Sequence, residues 1–428
     1  MRIAFYLPNK DFSYVDCSNP EEGNPGIGGT EYMIISIPYY LEKLYHGRHE
    51  YFVFANSLNR LPQDLNIIQV EGIADIPPIM SKMGIDLLVL KYSLDNFNVL
   101  LGNKKILINV AFWTHNFVKR QELTWLAKDP RVRVIICVGN EQLQIYRDHQ
   151  AFYKSVVIFN GYPVEAFKQY DLPSVRSFSQ RGHEVTYMGN LVQYKGFPLL
   201  AKAWKKIIAK IPDAHLNVIG GGKLYDRNSR LGTWGLASEQ DEMAFMPYLL
   251  DESGHLLSSV TFWGIMGKEK DHILNKTKVG VPNPSGASET FCITALEMQL
   301  WGGIITTIRF GGFLDTVYST GILYSDCNKL ADSVVEQLLK EDNDYLGALS
   351  FVEKFSFEKV CQKWVDLFDA IDQGVSLDYL LKPQPSSLHK FEEFNRRIKA
   401  ILPFGSLMPT TMFYRSLLLR IPFLRTHV

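Results

Sequence analysis

The chain has 428 residues, which is enough for two or three domains at about 150 residues each. Hydrophobic residues make up 46% and charged residues 21% of the sequence, as in globular proteins with full cores. Lysine plus arginine and aspartate plus glutamate each number 45, so no chain-wide basic field exists that would attract nucleic acid.

Cysteine usage and hydropathy indicate the cellular compartment in which the protein is expected. Five widely spaced cysteines without a CxxC pair favour a reducing environment over a disulfide framework or a zinc site. The amino terminus runs directly into a strand pattern, and the most apolar stretch, residues 291–308, contains Glu297 and Gln299. We therefore expect a cytoplasmic protein without a cleavable signal or a membrane-spanning helix.

Strand and helix patterns alternate through the first part of the chain. The first strand is predicted at residues 2–8 and the first helix at 31–44. Further apolar runs follow at 85–91, 105–112, 132–139 and 155–161. Runs that are apolar on both faces and alternate with helices predict a parallel sheet covered on two sides.

The pattern stops and then restarts. Residues 161–182 lose periodicity and gain proline, glycine and polar residues, which predicts a linker. Strand patterns resume at 183–190, 215–222, 260–264, 278–285, 302–308 and 321–325. The predicted fold class is α/β, with two Rossmann-like parallel-sheet domains, residues 1–178 and 179–373, that face each other across a cleft. Ligands of such sheets bind at the carboxyl ends of the strands.

The remaining residues, 374–428, form a basic and aromatic tail. From residue 389 onwards, seven lysines and arginines stand against two glutamates, interleaved with Phe, Tyr and Leu. This composition suits a segment lying on an anionic membrane surface. It suits equally well a tail that packs back on the first domain, so both interpretations stay open.

A glycine-rich loop, GNPGIGGTE at residues 23–31, connects the first strand to the first helix. Backbone amides of such a turn bind anions, and the dipole of the following helix adds to the attraction. The spacing of Gly26, Gly28 and Gly29 is not the GxGxxG dinucleotide fingerprint, and the chain has no Walker loop. From the loop alone, an anion site and a long flexible turn remain alternatives.

The stretch PNPSGASETFCITALEMQLWGG, residues 282–303, contains two glutamates eight positions apart. Glu289 follows a predicted strand and Glu297 lies in a predicted helix. If the stretch is helical throughout, the two lie about 12 Å apart along the axis, close to the span from sugar to ribose in a nucleotide-sugar. Three amides would then form a helix amino terminus suited to a diphosphate: Thr290, Phe291 and Cys292. Judged by spacing alone, a chance acidic pair is the better interpretation.

The same stretch resembles the Glu-x7-Glu signature of retaining family 4 glycosyltransferases of GT-B fold, with Pro-Ser before the first glutamate and Gly after the second. The resemblance extends, in the right order, to GGTE (28–31), VIFNGYPVEAF (157–167), VTYMGNLVQYKGFPLLAKAW (185–204) and RFGGFLDTV (309–317). It runs from residue 2 to about residue 371 and leaves the tail uncovered. It implies hexosyl transfer from a nucleotide-diphosphate sugar, such as a UDP- or GDP-sugar, with retention of configuration.

The resemblance also implies site residues. His115 would reach the reacting sugar, Lys195 would stabilise the diphosphate, and Glu289 would accept hydrogen bonds from sugar hydroxyls. The implied donor-binding set is Gly28, Gly29, Asn190, Lys195, Met266, Glu289, Thr290, Phe291, Cys292 and Glu297, with Glu297 on the ribose. Asn190 stands where the family usually has an arginine, so more of the diphosphate charge would rest on Lys195 and backbone amides.

No metal or other cofactor is expected, because protein groups supply the cation. Asp342-Asn343-Asp344 spells the metal-binding DxD of another transferase fold, but no strand precedes it, so it reads as a solvated turn. The expected partners are a nucleotide-sugar donor and a glycan or lipid-linked acceptor on the first domain. The tail adds a possible membrane surface on the cytoplasmic face, in cell-surface polysaccharide synthesis. A nucleotide-sugar epimerase and a non-catalytic nucleotide-sugar-binding protein remain alternatives.

Overall fold

The computed structural model describes residues 1–168, 175–224, 228–377, 380, 382–383 and 389–418. Within these residues the chain forms two parallel β-sheets with helices around them, followed by a helical carboxyl-terminal segment. None of the helices in these ranges is long and apolar enough to cross a bilayer.

The first domain is built, in its described residues, on seven strands: β1 (Arg2–Leu7), β2 (Glu50–Ala55), β3 (Asn66–Gln69), β4 (Leu87–Lys91), β5 (Val110–Thr114), β6 (Val132–Cys137) and β7 (Ser155–Val157). They are parallel and lie in the order β3-β2-β1-β4-β5-β6-β7. Successive residues of β1 enter separate apolar clusters, Phe5 on one face and Tyr6 on the other. Strands in such a sheet are apolar throughout because both faces are covered.

The helices of this domain are α1 (Gly29–Tyr45), α2 (Ile76–Met83), α3 (Leu94–Leu101), α4 (Arg120–Lys128), α5 (Asn140–Ile145) and α6 (Val164–Lys168). Their ends follow local sequence. Ser93 caps α3 by accepting a hydrogen bond from the Asn96 amide at 3.1 Å. α2 ends at Gly84, whose φ of 63° is the left-handed conformation that glycine adopts readily.

The second domain repeats the plan. Its described strands are β8 (Glu184–Met188), β9 (His215–Ile219), β10 (Val260–Gly264), β11 (Val279–Gly280), β12 (Ile304–Ile308) and β13 (Ile322–Tyr324), in the order β10-β9-β8-β11-β12-β13. Its helices are α7 (Phe197–Lys210), α8 (Glu239–Leu249), α9 (Asp271–Leu274), α10 (Ile293–Leu300), α11 (Phe313–Thr316), α12 (Leu330–Leu338) and α13 (Tyr345–Val352). The two-sheet parallel fold predicted from the alternating pattern is confirmed.

The chain returns to the first domain through α14 (Phe357–Asp372). The Trp364 ring in this helix is buried against Phe5 and Trp113 of the first sheet, with centroids 5.9 and 4.9 Å away. The second domain is predicted to extend to residue 373, but its last helix, α14, packs against the first domain. Where the chain crosses back, Tyr162 and Ser356 form a β-bridge, so the outgoing and returning segments are paired.

Some local predictions differ from the structure. The run at 105–112 was expected to be a strand, but β5 begins only at Val110. The sequence patterns do not predict β2 or the edge strand β3. The linker at 161–182 contains α6 and a short 3-10 turn at Phe178–Gln180, and its residues 169–174 lie outside the described residues.

The described part of the tail contains α15 (Lys390–Ile401) and α16 (Thr411–Leu418). It packs on the first domain through polar contacts: Arg147 pairs with Glu393 at 3.0 Å, and Asp148 accepts from the Thr411 backbone amide at 2.6 Å. Tail residues 384–388 and 419–428 lie outside the described residues, including Arg420 and Arg425.

Candidate active site

The carboxyl ends of the two sheets open into one cavity of about 530 Å³. From the first domain it is lined by residues that follow β1, β4 and β5, and from the second by residues that follow β8 and β11. In each sheet this is where the strand order reverses, between β1 and β4 and between β8 and β11. Doubly wound sheets bind their ligands at such a switch point.

Most predicted site residues meet at this cavity. Its lining includes Gly28, Gly29, His115, Asn190, Lys195, Glu289, Thr290, Phe291, Cys292 and Glu297. Met266 is not among the lining residues. Its carbonyl oxygen lies 3.4 Å from the position a Cβ on Gly26 would take. The loop after β10 thus contacts the glycine loop of the first domain. A role for Met266 in donor binding remains a prediction.

Lys195 and Glu289 form an ion pair in the cleft, with the Lys195 Nζ 3.2 Å from Glu289 Oε2. The Asn283 amide also donates to this carboxylate, at 2.9 Å. Lys195 is held by the turn that follows it: Gly196 has a φ of 74°, and a Cβ there would lie 2.4 Å from the Ser285 nitrogen. Only glycine lets the loop after β8 approach the loop before Glu289 this closely.

The loop before Glu289 contains unusual backbone conformations. Asn283 and Ser288 have φ angles of 33° and 57°, which are uncommon for residues with a side chain. Asn283 both adopts this conformation and orients the Glu289 carboxylate. Such outliers concentrate at binding and catalytic sites, where surrounding contacts hold them.

The prediction that Thr290, Phe291 and Cys292 form a helix amino terminus is wrong, because α10 begins at Ile293. Tertiary contacts hold this stretch outside the helix. The Thr290 hydroxyl donates to the His115 carbonyl at 2.6 Å, and the Gly312 amide donates to the Glu289 carbonyl at 2.9 Å. Glu289 therefore lies in the loop, and only Glu297 lies on the helix.

Glu297 is paired with a lysine that the sequence did not single out. Its Oε1 lies 3.4 Å from Lys270 Nζ and accepts a hydrogen bond from the Tyr162 hydroxyl at 3.2 Å. Both Glu297 and Lys270 are buried. Lys270 sits in the run KEK at 268–270, which by sequence reads as a solvated turn, so only the fold reveals its place.

The glycine loop contributes its end rather than its beginning. The Asn24 side chain accepts hydrogen bonds from the Gly26 and Ile27 amides, each at 2.9 Å, which folds the first half of the loop on itself. Gly28 and Gly29, where α1 starts, line the cavity instead. The start of α1 is therefore the part of the loop that can face a ligand.

His115 faces the cavity from the first domain. Burial, together with the nearby Lys91 ammonium, holds the pKa of its imidazole well below the usual 6.5. Its Nε2 is buried and has no hydrogen-bond partner among the described residues. Lys91 itself pairs with Glu31 at 3.2 Å, and both line the cavity. A neutral ring with an unpaired nitrogen is suited to hydrogen-bond a ligand hydroxyl.

Asn190 occupies the place expected for an arginine. Its side chain is buried, and its Oδ1 has no partner within the described residues. The lysines that the cavity presents in the described part of the chain are Lys91 and Lys195. Any anionic ligand there meets one lysine from each domain.

Among the described residues, no group of three or more His, Cys, Asp or Glu side chains is placed to hold a metal ion. Asp344 of the DxD-like triplet caps α13 by accepting from the Gly347 amide at 3.0 Å, and it is exposed. The exposed side chains of Asp342 and Asp344 agree with the solvated-turn interpretation of this triplet. That the reaction needs no metal remains a prediction.

Residues 182–340 match the family model described as Glycosyl transferases group 1. The structure also resembles a solved glycosyltransferase from Rickettsia africae ESF-5, with a TM-score of 0.62 and 15% identity, covering 87% of this chain and 98% of that one. No curated protein sequence matches the chain at a significant level.

Two further solved structures show the same architecture. Sucrose-phosphate synthase from Thermosynechococcus elongatus matches with a TM-score of 0.64 and 17% identity, covering 87% of this chain and all, 100%, of that one. Anabaena HepE in complex with UDP and glucose matches with a TM-score of 0.59 and 14% identity, covering 86% and 100%. At these identities the likeness concerns the fold, and the predicted GT-B architecture is confirmed.

Proposed function

We propose that this chain, whose residues 182–340 match the group 1 glycosyltransferase model, transfers a hexosyl unit from a nucleotide-diphosphate sugar to a hydroxyl of a glycan or glycolipid, with retention of configuration. One observation carries this proposal. The Lys195–Glu289 pair of the second domain and the unpaired His115 ring of the first line the same cavity.

The donor binds mainly to the second domain in this proposal. Glu289 and Glu297 line one cavity, so the sugar and the ribose can each meet one carboxylate. The diphosphate lies between them, near Lys195 and the backbone of residues 290–292. The UDP and glucose in the HepE crystal structure support a donor of this class.

Charge stabilisation drives the chemical step. As the nucleoside diphosphate departs, negative charge grows on its β-phosphate, and the Lys195 ammonium is the cation placed by the second domain to stabilise it. Glu289, held by Lys195 and Asn283, orients the sugar hydroxyls. The acceptor attacks from the leaving-group face, and a β-phosphate oxygen takes its proton, as the family resemblance implies.

The acceptor lies on the first domain. There the cavity presents His115, Lys91, Glu31 and Asp11, a set that can hydrogen-bond a hydroxyl-rich molecule. The proposed setting is the cytoplasmic face of the membrane, in cell-surface polysaccharide assembly. The composition of the tail supports this setting.

Incubation of the protein with UDP- and GDP-sugars, with and without glycan acceptors, tests the function when the anomeric protons are followed by NMR. Release of nucleoside diphosphate, together with a new glycosidic linkage of the same anomeric configuration as the donor, supports the proposal. Conversion of the donor sugar without an acceptor would identify an epimerase instead. A nucleotide-induced rise in melting temperature without any turnover would identify a binding protein.

A further inference from the structure

Helix α15 of the tail presents charged side chains to the protein and apolar side chains to solvent, the reverse of an ordinary surface helix. Its two carboxylates face the protein: Glu392 is buried, and Glu393 takes a hydrogen bond from Arg147 at 3.0 Å. Lys399 likewise reaches inward, to the Asp148 carbonyl at 3.1 Å. A helix on a protein surface normally buries its apolar stripe and exposes its charges.

The apolar side chains of the same segment point to solvent. The most exposed are Phe391 (62%), Phe394 (59%), Ile401 (81%), Phe404 (74%) and Leu407 (79%). Ion pairs hold α15 to the first domain, and the Arg396 guanidinium also stacks on the Phe152 ring, 4.7 Å from its centre. The apolar side chains on the other face stay exposed in the described structure. A contiguous apolar surface of this kind marks an interaction site.

The exposed face is also positively charged. Lys390 and Arg397 are exposed among the aromatic side chains, and Arg397 also pairs with Glu393 at 3.1 Å. Beside α15 lies a cavity of about 300 Å³ whose lining carries one carboxylate, Asp148, and four cationic side chains: Arg120, Lys128, Arg396 and Lys399. Cationic side chains therefore outnumber carboxylates next to the apolar residues.

We infer that this face binds the surface of an anionic lipid bilayer. The tail surface is defined by Phe391, Phe394, Ile401, Phe404 and Leu407 with Lys390 and Arg397. Its aromatic and aliphatic side chains enter the headgroup region, and its cations contact lipid phosphates. A second copy of the chain is a poorer occupant, because two such surfaces meeting face to face would bring like charges together.

The tail packs on the first domain, which also lines the cleft. The Arg120 guanidinium lies 5.4 Å from the ring of Phe413 in α16, and His115 in the cleft precedes Arg120 by five residues. The bilayer would thus contact the domain that is proposed to hold the acceptor. This inference adds a location to the proposed function and does not depend on the donor.

Flotation of the full chain with vesicles tests the inference. We expect binding to phosphatidylcholine vesicles that contain phosphatidylglycerol and much weaker binding to phosphatidylcholine alone, with a decrease at high salt. The double variants Phe391→Ser/Phe394→Ser and Lys390→Glu/Arg397→Glu should each lower the vesicle partition coefficient about tenfold or more. The serine variant should keep the wild-type melting temperature, because both rings are exposed. Arg397 also pairs with Glu393 at 3.1 Å, so the charge variant is compared with the wild type at a temperature at which both are folded.

Matched controls lie on the second domain. Leu346→Ser removes an apolar side chain that is 71% exposed, and Lys205→Glu/Lys206→Glu reverses two exposed charges, so neither should change flotation. The inference is overturned if the wild type does not float with the anionic vesicles, or if both double variants float to the same extent as the wild type. It is also overturned if the wild type forms a dimer without vesicles and the double variants are monomers. A UDP thermal shift on the same samples reports separately on the donor site.

Discussion

Lys195 has an ordinary sequence context, and its proposed role depends on where the fold places it. By sequence it is one of many lysines after a strand, and only the family resemblance singles it out. In the structure its ammonium lies 3.2 Å from Glu289, in a pair that is mostly shielded from solvent. A cation held near a carboxylate in a cleft can turn to a diphosphate when a donor enters, since the carboxylate is then engaged by sugar hydroxyls.

Replacing either member of this pair should slow transfer strongly. We expect Glu289→Ala and Lys195→Ala each to lower turnover on the order of 100-fold, the usual effect of losing one contact made in the transition state. Steady-state kinetics with a saturating donor measure this loss.

Lys206→Ala is the control, because this lysine is exposed on α7, away from the cavity. Near-normal turnover of both Glu289→Ala and Lys195→Ala, with the fold intact by circular dichroism, would contradict the assigned site.

His115 should act as a neutral ring. Because burial lowers the pKa of its imidazole well below 6.5, the folded protein keeps it unprotonated where the unfolded chain begins to take up a proton. Its contribution therefore destabilises the fold increasingly as the pH falls below 6.5. NMR of isotope-labelled histidine, assigned by comparison with His115→Asn, should show the neutral form at that pH. A signal that titrates near 6.5 would contradict this expectation.

At the scale of elements, the structure corrects the reach of α10. An eight-residue spacing suggested one helix with a glutamate at each end, but the helix contains only Glu297. Glu289 is positioned by tertiary contacts of the loop, through Gly312 and Asn283. Helical spacing in sequence cannot detect such contacts, because they join segments distant along the chain.

The docking of α15 should depend on pH through His389. Burial alone would lower the pKa of this imidazole, but the Glu141 carboxylate, hydrogen-bonded at 3.0 Å, and the Glu392 carboxylate, 3.7 Å from Nδ1, raise it to about 9. The stabilisation is therefore complete below pH 6.5, the usual value, and is lost as the pH rises through about 9. His389→Gln should lower stability by about 1–2 kcal/mol below pH 6.5 and have little effect above pH 9.

Urea unfolding at both pH values measures the effect of His389→Gln, with His255→Gln at an exposed position as the control. An equal loss of stability at the two pH values would show that His389 acts through packing rather than through charge.

At the scale of the whole molecule, the two domains are joined by paired crossing segments and by contacts around the cavity. Tyr162 donates its amide to the Phe355 carbonyl at 2.8 Å, which ties the outgoing segment to the returning one. Across the cleft, Asp315 of the second domain accepts from the Asn140 amide of the first at 2.7 Å. Rotation of one domain against the other would rearrange contacts of this kind.

Nucleotide binding should therefore change the distance between the domains. We expect UDP or GDP to reduce the radius of gyration measured by small-angle X-ray scattering, because the ligand contacts both sides of the cleft. Lys195→Ala should weaken this change at equal nucleotide concentration. An unchanged radius of gyration, with binding shown by a thermal shift, would mean that the cleft is already closed.

The sequence by itself determined the two parallel sheets, the catalytic candidates His115, Lys195 and Glu289, and the unusual composition of the tail. These depend on patterns along the chain: apolar runs, glycine turns and a motif of fixed spacing. The strands β2 and β3, the return of α14 to the first domain and the Lys270–Glu297 pair were decided only by the tertiary structure.

The orientation of α15, with its charged face toward the protein, was also decided only by the tertiary structure. Periodicity predicts that a helix has an apolar side and a polar side, but not which side meets the protein. That choice depends on the partners that the rest of the fold supplies, and here they are Arg147, Asp148 and Glu141. The ion pairs that dock this helix join residues more than two hundred positions apart, a distance over which local sequence carries no information.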